Sequence, residues 1–218
     1  MKKAKKILVM VAALALTAAI AVGGTLAYLT SKTSVVTNTF TVGKVGITLD
    51  ESLVDIYGED YLKETGKDND GNPVYAVVNT VDDADRVMGN AYKLVPGHEY
   101  IKDPTVHVDS DSENSWLFVK VENGIAAIEA ATTIHDQMTA GDSAEWAEVA
   151  TGIYAYKTQV TASQDVVVFN TFTLADNAAV DQYENAQITI QAYAIQADGF
   201  ATYSDAWTTG AGASWPTT

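Results

Sequence analysis

Apolar and polar residues alternate with a period of two along most of the chain after residue 38, the pattern of strands half buried in a sheet. Phe40 and Val42 share one phase, whereas Val45, Ile47 and Leu49 keep the alternation in the opposite phase. An odd step therefore falls at Gly43-Lys44, read either as a bulge that resets the facing or as a turn between two short strands. Tyr92, Leu94 and Val95 lead into a Pro96-Gly97 turn, and Pro104 introduces Val106 and Val108, which share a face and leave His107 on the other. Residues 116–121 are apolar on both faces, Leu117, Val119 and Val121 against Trp116 and Phe118, which predicts a central or covered strand. Further strands are predicted over 146–149, 153–157, 166–174 and 187–196, the last with Ile188 and Ile190 toward the core.

One helix is expected over 123–141, where Ile125, Ile128, Thr132, His135 and Met138 recur at spacings of three and four. Asn123 would cap its start and Gly141 its end. Between 52 and 90 the chain is acidic and broken by Gly58, Gly66 and Asp68-Asn69-Asp70-Gly71-Asn72-Pro73, an insertion-like loop expected to hold a hairpin. Many short strands with one helical excursion predict an all-β fold, an antiparallel β-sandwich of jelly-roll type with one inserted helix. A closed barrel is the alternative. No repeat or second domain stands out, so a single domain is expected over 28–218.

The N-terminus changes the picture. Lys2, Lys3, Lys5 and Lys6 precede an apolar run over 7–22, followed by Gly23-Gly24 and the small-residue stretch Thr25-Leu26-Ala27. This reads as an export signal cleaved between Ala27 and Tyr28. A retained anchor is the competing reading, but the run is shorter than the roughly 20 residues that span a bilayer. Trimming leaves nine basic residues (13 less the four of the leader) against 28 acidic ones, a formal charge of 9 − 28 = −19. Such a chain has no clustered cations for nucleic acid, and its self-association should depend on ionic strength. It has no cysteine, so its core alone must hold it.

Candidate chemistry is sparse. His98, His107 and His135 include no pair one helical turn apart, the spacing that lets a zinc hydrolase aim two ligands at one metal. No Gly-x-Ser-x-Gly turn presents a nucleophile. No catalytic residues are therefore assigned. Asp68 and Asp70, and again Asp109, Asp111 and Glu113, offer oxygens at alternate positions, a weak calcium site in one reading and solvated turns in the other. Trp146, Tyr154 and Tyr156 would suit a sugar-binding surface, with core packing as the plainer reading.

The stretch Gly23-Gly24-Thr25-Leu26-Ala27-Tyr28-Leu29-Thr30, followed by Asn38-Thr39-Phe40-Thr41-Val42-Gly43, resembles the N-terminus of the TasA/camelysin family of exported firmicute proteins. Softer matches lie in 90–122, with its Tyr-Lys-Leu-x-Pro-Gly turn, and in 192–197 with Ala206-Trp207. The resemblance implies a secreted jelly-roll subunit of an extracellular biofilm-matrix fibre, freed by a dedicated signal peptidase and assembled by strand exchange. Residues 28–37, with Tyr28, Leu29, Thr30, Thr33, Val35 and Val36, are rich in β-branched side chains and free of glycine and proline. Released by cleavage, they would add as a strand to a neighbour's sheet edge. Pairing within the same subunit, or remaining disordered, is the alternative. The implied partners are further copies or a related matrix protein, and no cofactor beyond calcium is expected. Two other functions compete: a monomeric surface adhesin or glycan-binding β-sandwich, and a camelysin-like metallopeptidase.

Overall fold

Strand β7 (Ser115–Asn123) is buried on both faces from Ser115 to Val119, because Leu117, Val119 and Val121 enter one apolar cluster and Trp116 and Phe118 another. A computed structural model describes residues 43–141 and 143–212 of this chain. On one side β7 pairs antiparallel with β12 (Ile188–Gln196) over nine consecutive residues; on the other lies β9 (Ile153–Tyr156), followed by β8 (Trp146–Ala150). The sheet order is thus β12-β7-β9-β8. A second four-stranded sheet runs β10 (Asp165–Val167), β6 (Thr105–Val108), β1 (Ile47–Ser52), β4 (Arg86–Val87), also antiparallel. Val106, Val108 and Val166 from this sheet join Leu117, Val119, Tyr154 and Tyr156 from the first in one core. His107 stands on the opposite face from its two valine neighbours, as the alternation requires. The fold is all-β, built of antiparallel sheets with little helix.

The outer face of the β7 sheet is also covered. Helix α2 (Tyr203–Ala206) and the π-helical turn Trp207–Ala211 after it bring Ala206, Ala211 and Trp207 onto Trp116, Phe118 and Ala155. Gly210 sits here because a Cβ would come within 2.7 Å of Ile195 Cδ1. The acidic stretch forms the hairpin of β2 (Tyr61–Lys67) and β3 (Pro73–Val78), with a register shift between Glu64 and Gly66.

Three expectations need correction. The single helix over 123–141 is two pieces: a 3₁₀ turn at Ala126–Ile128 and helix α1 (Ile134–Thr139). The intervening chain is extended, with Glu129 bridged to Leu174 and Ala130 N–H bonded to the Thr173 carbonyl, so Thr132 is exposed and Ile134 takes the buried place. Thr133, not Asn123, starts the helix, through a capping box with Asp136. The expected strand over 166–174 divides into β10 and β11 (Thr171–Thr173), which pair with β6 and β5 (Glu99–Ile101) respectively. Its partners are themselves separated by Lys102-Asp103-Pro104, where proline has no N–H for the ladder. The Gly43-Lys44 step adjoins residues outside the described range.

Candidate strand-docking groove

Among the described residues, the two four-stranded sheets leave β1 in part and β12 without a second strand partner. Strand β1 pairs with β6 through Ile47–Asp50, but on its other side only Glu51 and Ser52 meet β4. Strand β12 pairs with β7 along its whole length and, among the described residues, with nothing on its far side. Between these edges lies a groove of about 1010 Å³, walled by Leu49 and Asp50 on one side and by 187–190 on the other. Ile125, Tyr92 and Phe172 line it as well, as do Val180, Asp181 and residues 183–186. Its apolar lining includes the half-buried Leu49, Ile188 and Ile190, which rest on the core. Gly124 sets where β12 begins: its N–H bonds the Gln187 carbonyl at 2.8 Å, and a Cβ there would lie 2.6 Å from that oxygen.

The character of the β12 edge separates it from the others. β12 has nine residues, Ile-Thr-Ile-Gln-Ala-Tyr-Ala-Ile-Gln, with no charge, proline or bulge. The opposite edge, β8, carries Glu148 and a bulge between Glu148 and Ala150, while β10 and β4 are only three and two residues long. Charges, bulges and shortness are the devices by which sheet edges avoid unwanted pairing. Among the described strands the other uncharged edges are β3, six residues long and starting on Pro73, and the three-residue β11.

The groove also contains polar groups. Lys102 and Glu51, both nearly inaccessible, form an ion pair, and the Lys102 ammonium lies 5.8 Å from the Tyr92 ring centroid. Asn90 donates from Nδ2 to Glu51 Oε1 at 2.9 Å and to the Ser52 carbonyl at 2.8 Å. Burial, reinforced by the charge of Glu51, raises the pKa of the Tyr92 phenol well above its ordinary value. The Tyr92 hydroxyl donates to the Ile101 carbonyl.

On β6 beside the groove, His107 bridges two carboxylates, with Nδ1 2.6 Å from Asp165 and Nε2 2.9 Å from Asp50; Arg86 Nε also donates to Asp50, at 2.7 Å. Partial burial pulls the imidazole pKa down, but the hydrogen bonds and charges of the two aspartates outweigh it and the net shift is upward. Desolvation pushes Asp50 up, and His107 and Arg86 more than reverse it, so its pKa falls. These contacts join β1, β4, β6 and β10. A raised folded-state pKa contributes stability fully below the ordinary histidine value and loses it as pH rises through the folded value. His107→Gln should therefore destabilise by up to about 1 kcal/mol at about pH 5.5, after solvent screening, and by less at about pH 8.5. Urea melts at the two pH values check this; an equal cost at both would contradict it.

The donor residues Tyr28, Leu29, Thr30, Thr33, Val35 and Val36, and the cleavage site Ala27-Tyr28, lie outside the described residues. The three histidines have separate partners: His98 Nε2 contacts the Tyr57 carbonyl, His107 its aspartates, and His135 Nδ1 the Tyr154 hydroxyl. Burial, then the charges of Glu148 and Glu129, push Tyr154 up to about 12. Among the described residues no three His, Asp or Glu gather around a point that could hold a metal. Asp68 accepts from the backbone of Asp70 and Asn72 at the hairpin tip, while Asp109 and Asp111 share Lys44. Glu113 Cγ packs at Gly43. Trp146, Tyr154 and Tyr156 are buried in the main core and present no ring face to a sugar. The groove's polar residues had no local signal in the sequence: Glu51 meets Lys102 across 51 positions and Asn90 across 39. Comparison of the chain with protein families, with curated proteins and with solved structures finds no match.

Proposed function

We propose that this chain is a secreted structural subunit of an extracellular fibre, in which a strand supplied by a neighbouring copy lies along β12. The observation that carries the reading is the β12 edge, uncharged over nine residues and, among the described residues, without a second strand partner, which borders the groove through Ile188, Thr189 and Ile190. The N-terminal segment 28–37 fits the role by length: ten residues extend about 33 Å, and nine about 30 Å. An added strand would extend the β7 sheet beyond β12, and the jelly-roll reading of the fold belongs to this proposal. So does kinship with TasA and camelysin, which rests on the residues quoted above. Export and cleavage after Ala27 would keep the donor end tethered until the chain leaves the cell.

A truncated chain beginning at Thr39 should stay monomeric where the chain beginning at Tyr28 forms fibres, as negative-stain imaging would record. Because the trimmed chain carries −19, fibres should form more readily as salt rises. Equal polymerisation by both chains would refute strand donation.

A monomeric adhesin is the second reading, favoured by the β2–β3 hairpin, which exposes Val74, Tyr75 and Val77. Fibres from the trimmed chain would decide against it. For a metallopeptidase, the described residues offer no support.

A further inference from the structure

The geometry points to a covalent cross-link: an amide between Lys102 Nζ and the side-chain carbonyl carbon of Asn90, formed within one chain with Glu51 as the catalytic residue and ammonia as the leaving group. The inference does not depend on assembly and goes beyond the structural role proposed above.

Three observations carry it. First, one carboxylate spans both reacting nitrogens: Glu51 Oε2 accepts from Lys102 Nζ, and Oε1 accepts from Asn90 Nδ2 at 2.9 Å. Second, the Asn90 carbonyl is already polarised, since Oδ1 accepts the Val54 N–H at 3.1 Å, a donor placed to stabilise negative charge developing on that oxygen. Third, Glu51 is 4% and Lys102 6% exposed, under the Tyr92 ring. Burial keeps bulk water away from both reacting groups.

The atoms balance without a co-reactant. After the proton moves to Glu51, the amine lone pair attacks Asn90 Cγ and the Nζ–Cγ bond forms. The second proton comes off Nζ as the tetrahedral centre collapses, and Glu51 relays a proton to Nδ2. The Cγ–Nδ2 bond breaks and ammonia departs. Nothing is oxidised or reduced, and the products are a neutral amide, ammonia and a protonated Glu51 carboxyl. A buried ion pair is thereby replaced by uncharged groups. The carboxyl keeps its contact with the new amide, as general acid–base catalysis by a group within hydrogen-bond reach requires.

Intact-mass spectrometry of the full chain and of the chain beginning at Tyr28 tests this. Both should be lighter than their sequence mass by one ammonia, and a tryptic digest should yield a branched peptide joining Lys102 to Asn90 with no cleavage after Lys102. Asn90→Asp should reach the same product mass by losing water instead. Lys102→Met and Glu51→Gln should keep their full sequence mass. A wild-type chain that stays at sequence mass after prolonged incubation, with trypsin cutting after Lys102, overturns the proposal whether or not the variants fold. Retention of the ammonia loss by Lys102→Met also overturns it, since the loss would then come from a backbone succinimide at Asn90.

Discussion

Phe172→Ala is expected to destabilise the chain by about 3–5 kcal/mol, the largest single effect among the substitutions considered. Phe172 is 1% exposed and stacks on Tyr100 with ring centroids 4.6 Å apart and planes 9° from parallel. Tyr92 meets it edge-on at 5.3 Å and Tyr100 at 5.7 Å, so the three rings form one unit beside the groove. Removing the Phe172 ring forfeits its transfer energy, leaves a cavity, and loses aromatic pairing worth about 0.5–1.5 kcal/mol per pair. A domain of ordinary stability has about 5–15 kcal/mol to lose, so a sizeable share would go. Urea denaturation should show a lower midpoint with an unchanged slope. A cost below about 1 kcal/mol would mean that the cluster is not part of the continuous core.

Ile190→Lys is expected to abolish assembly while leaving a folded monomer. Ile190 is half-buried on β12 and lines the groove. In the lone subunit the lysine stem can lie along the apolar wall with its ammonium in water. A docked strand would cover that ammonium without providing a partner for its charge, at a cost of several kcal/mol. The concentration needed for fibres should rise at least about 100-fold, which corresponds to about 2.7 kcal/mol. Glu148→Lys, on the opposite edge β8, should leave that concentration nearly unchanged. Sedimentation of the trimmed variants measures both; equal effects at the two edges would remove β12 from the account.

Much of the fold was legible because it is local. The two-sided apolar run of β7 announced a covered central strand, and the Val106/Val108 alternation placed His107 outward. The turn residues at 68–73 marked the β2–β3 hairpin. Errors arose where a tertiary partner decided the outcome. Ile125, Ile128 and Met138 have helical spacing, yet the chain between them extends to meet Leu174, a contact invisible to a short window. The strand expected over 166–174 divides because its partners divide at Lys102-Asp103-Pro104. Glu51, Asn90 and Lys102 lie on separate segments, and only the fold brings them together.

Hydrogen exchange of the trimmed chain before and after assembly tests the central claim most directly, because it reports which edge gains a partner. The amides of β12 that do not bond β7 should become strongly protected in fibres, while those at the open edges of β8 and β3 keep exchanging at their monomer rates. Protection appearing at β8 or β3, with β12 unchanged, would contradict the account.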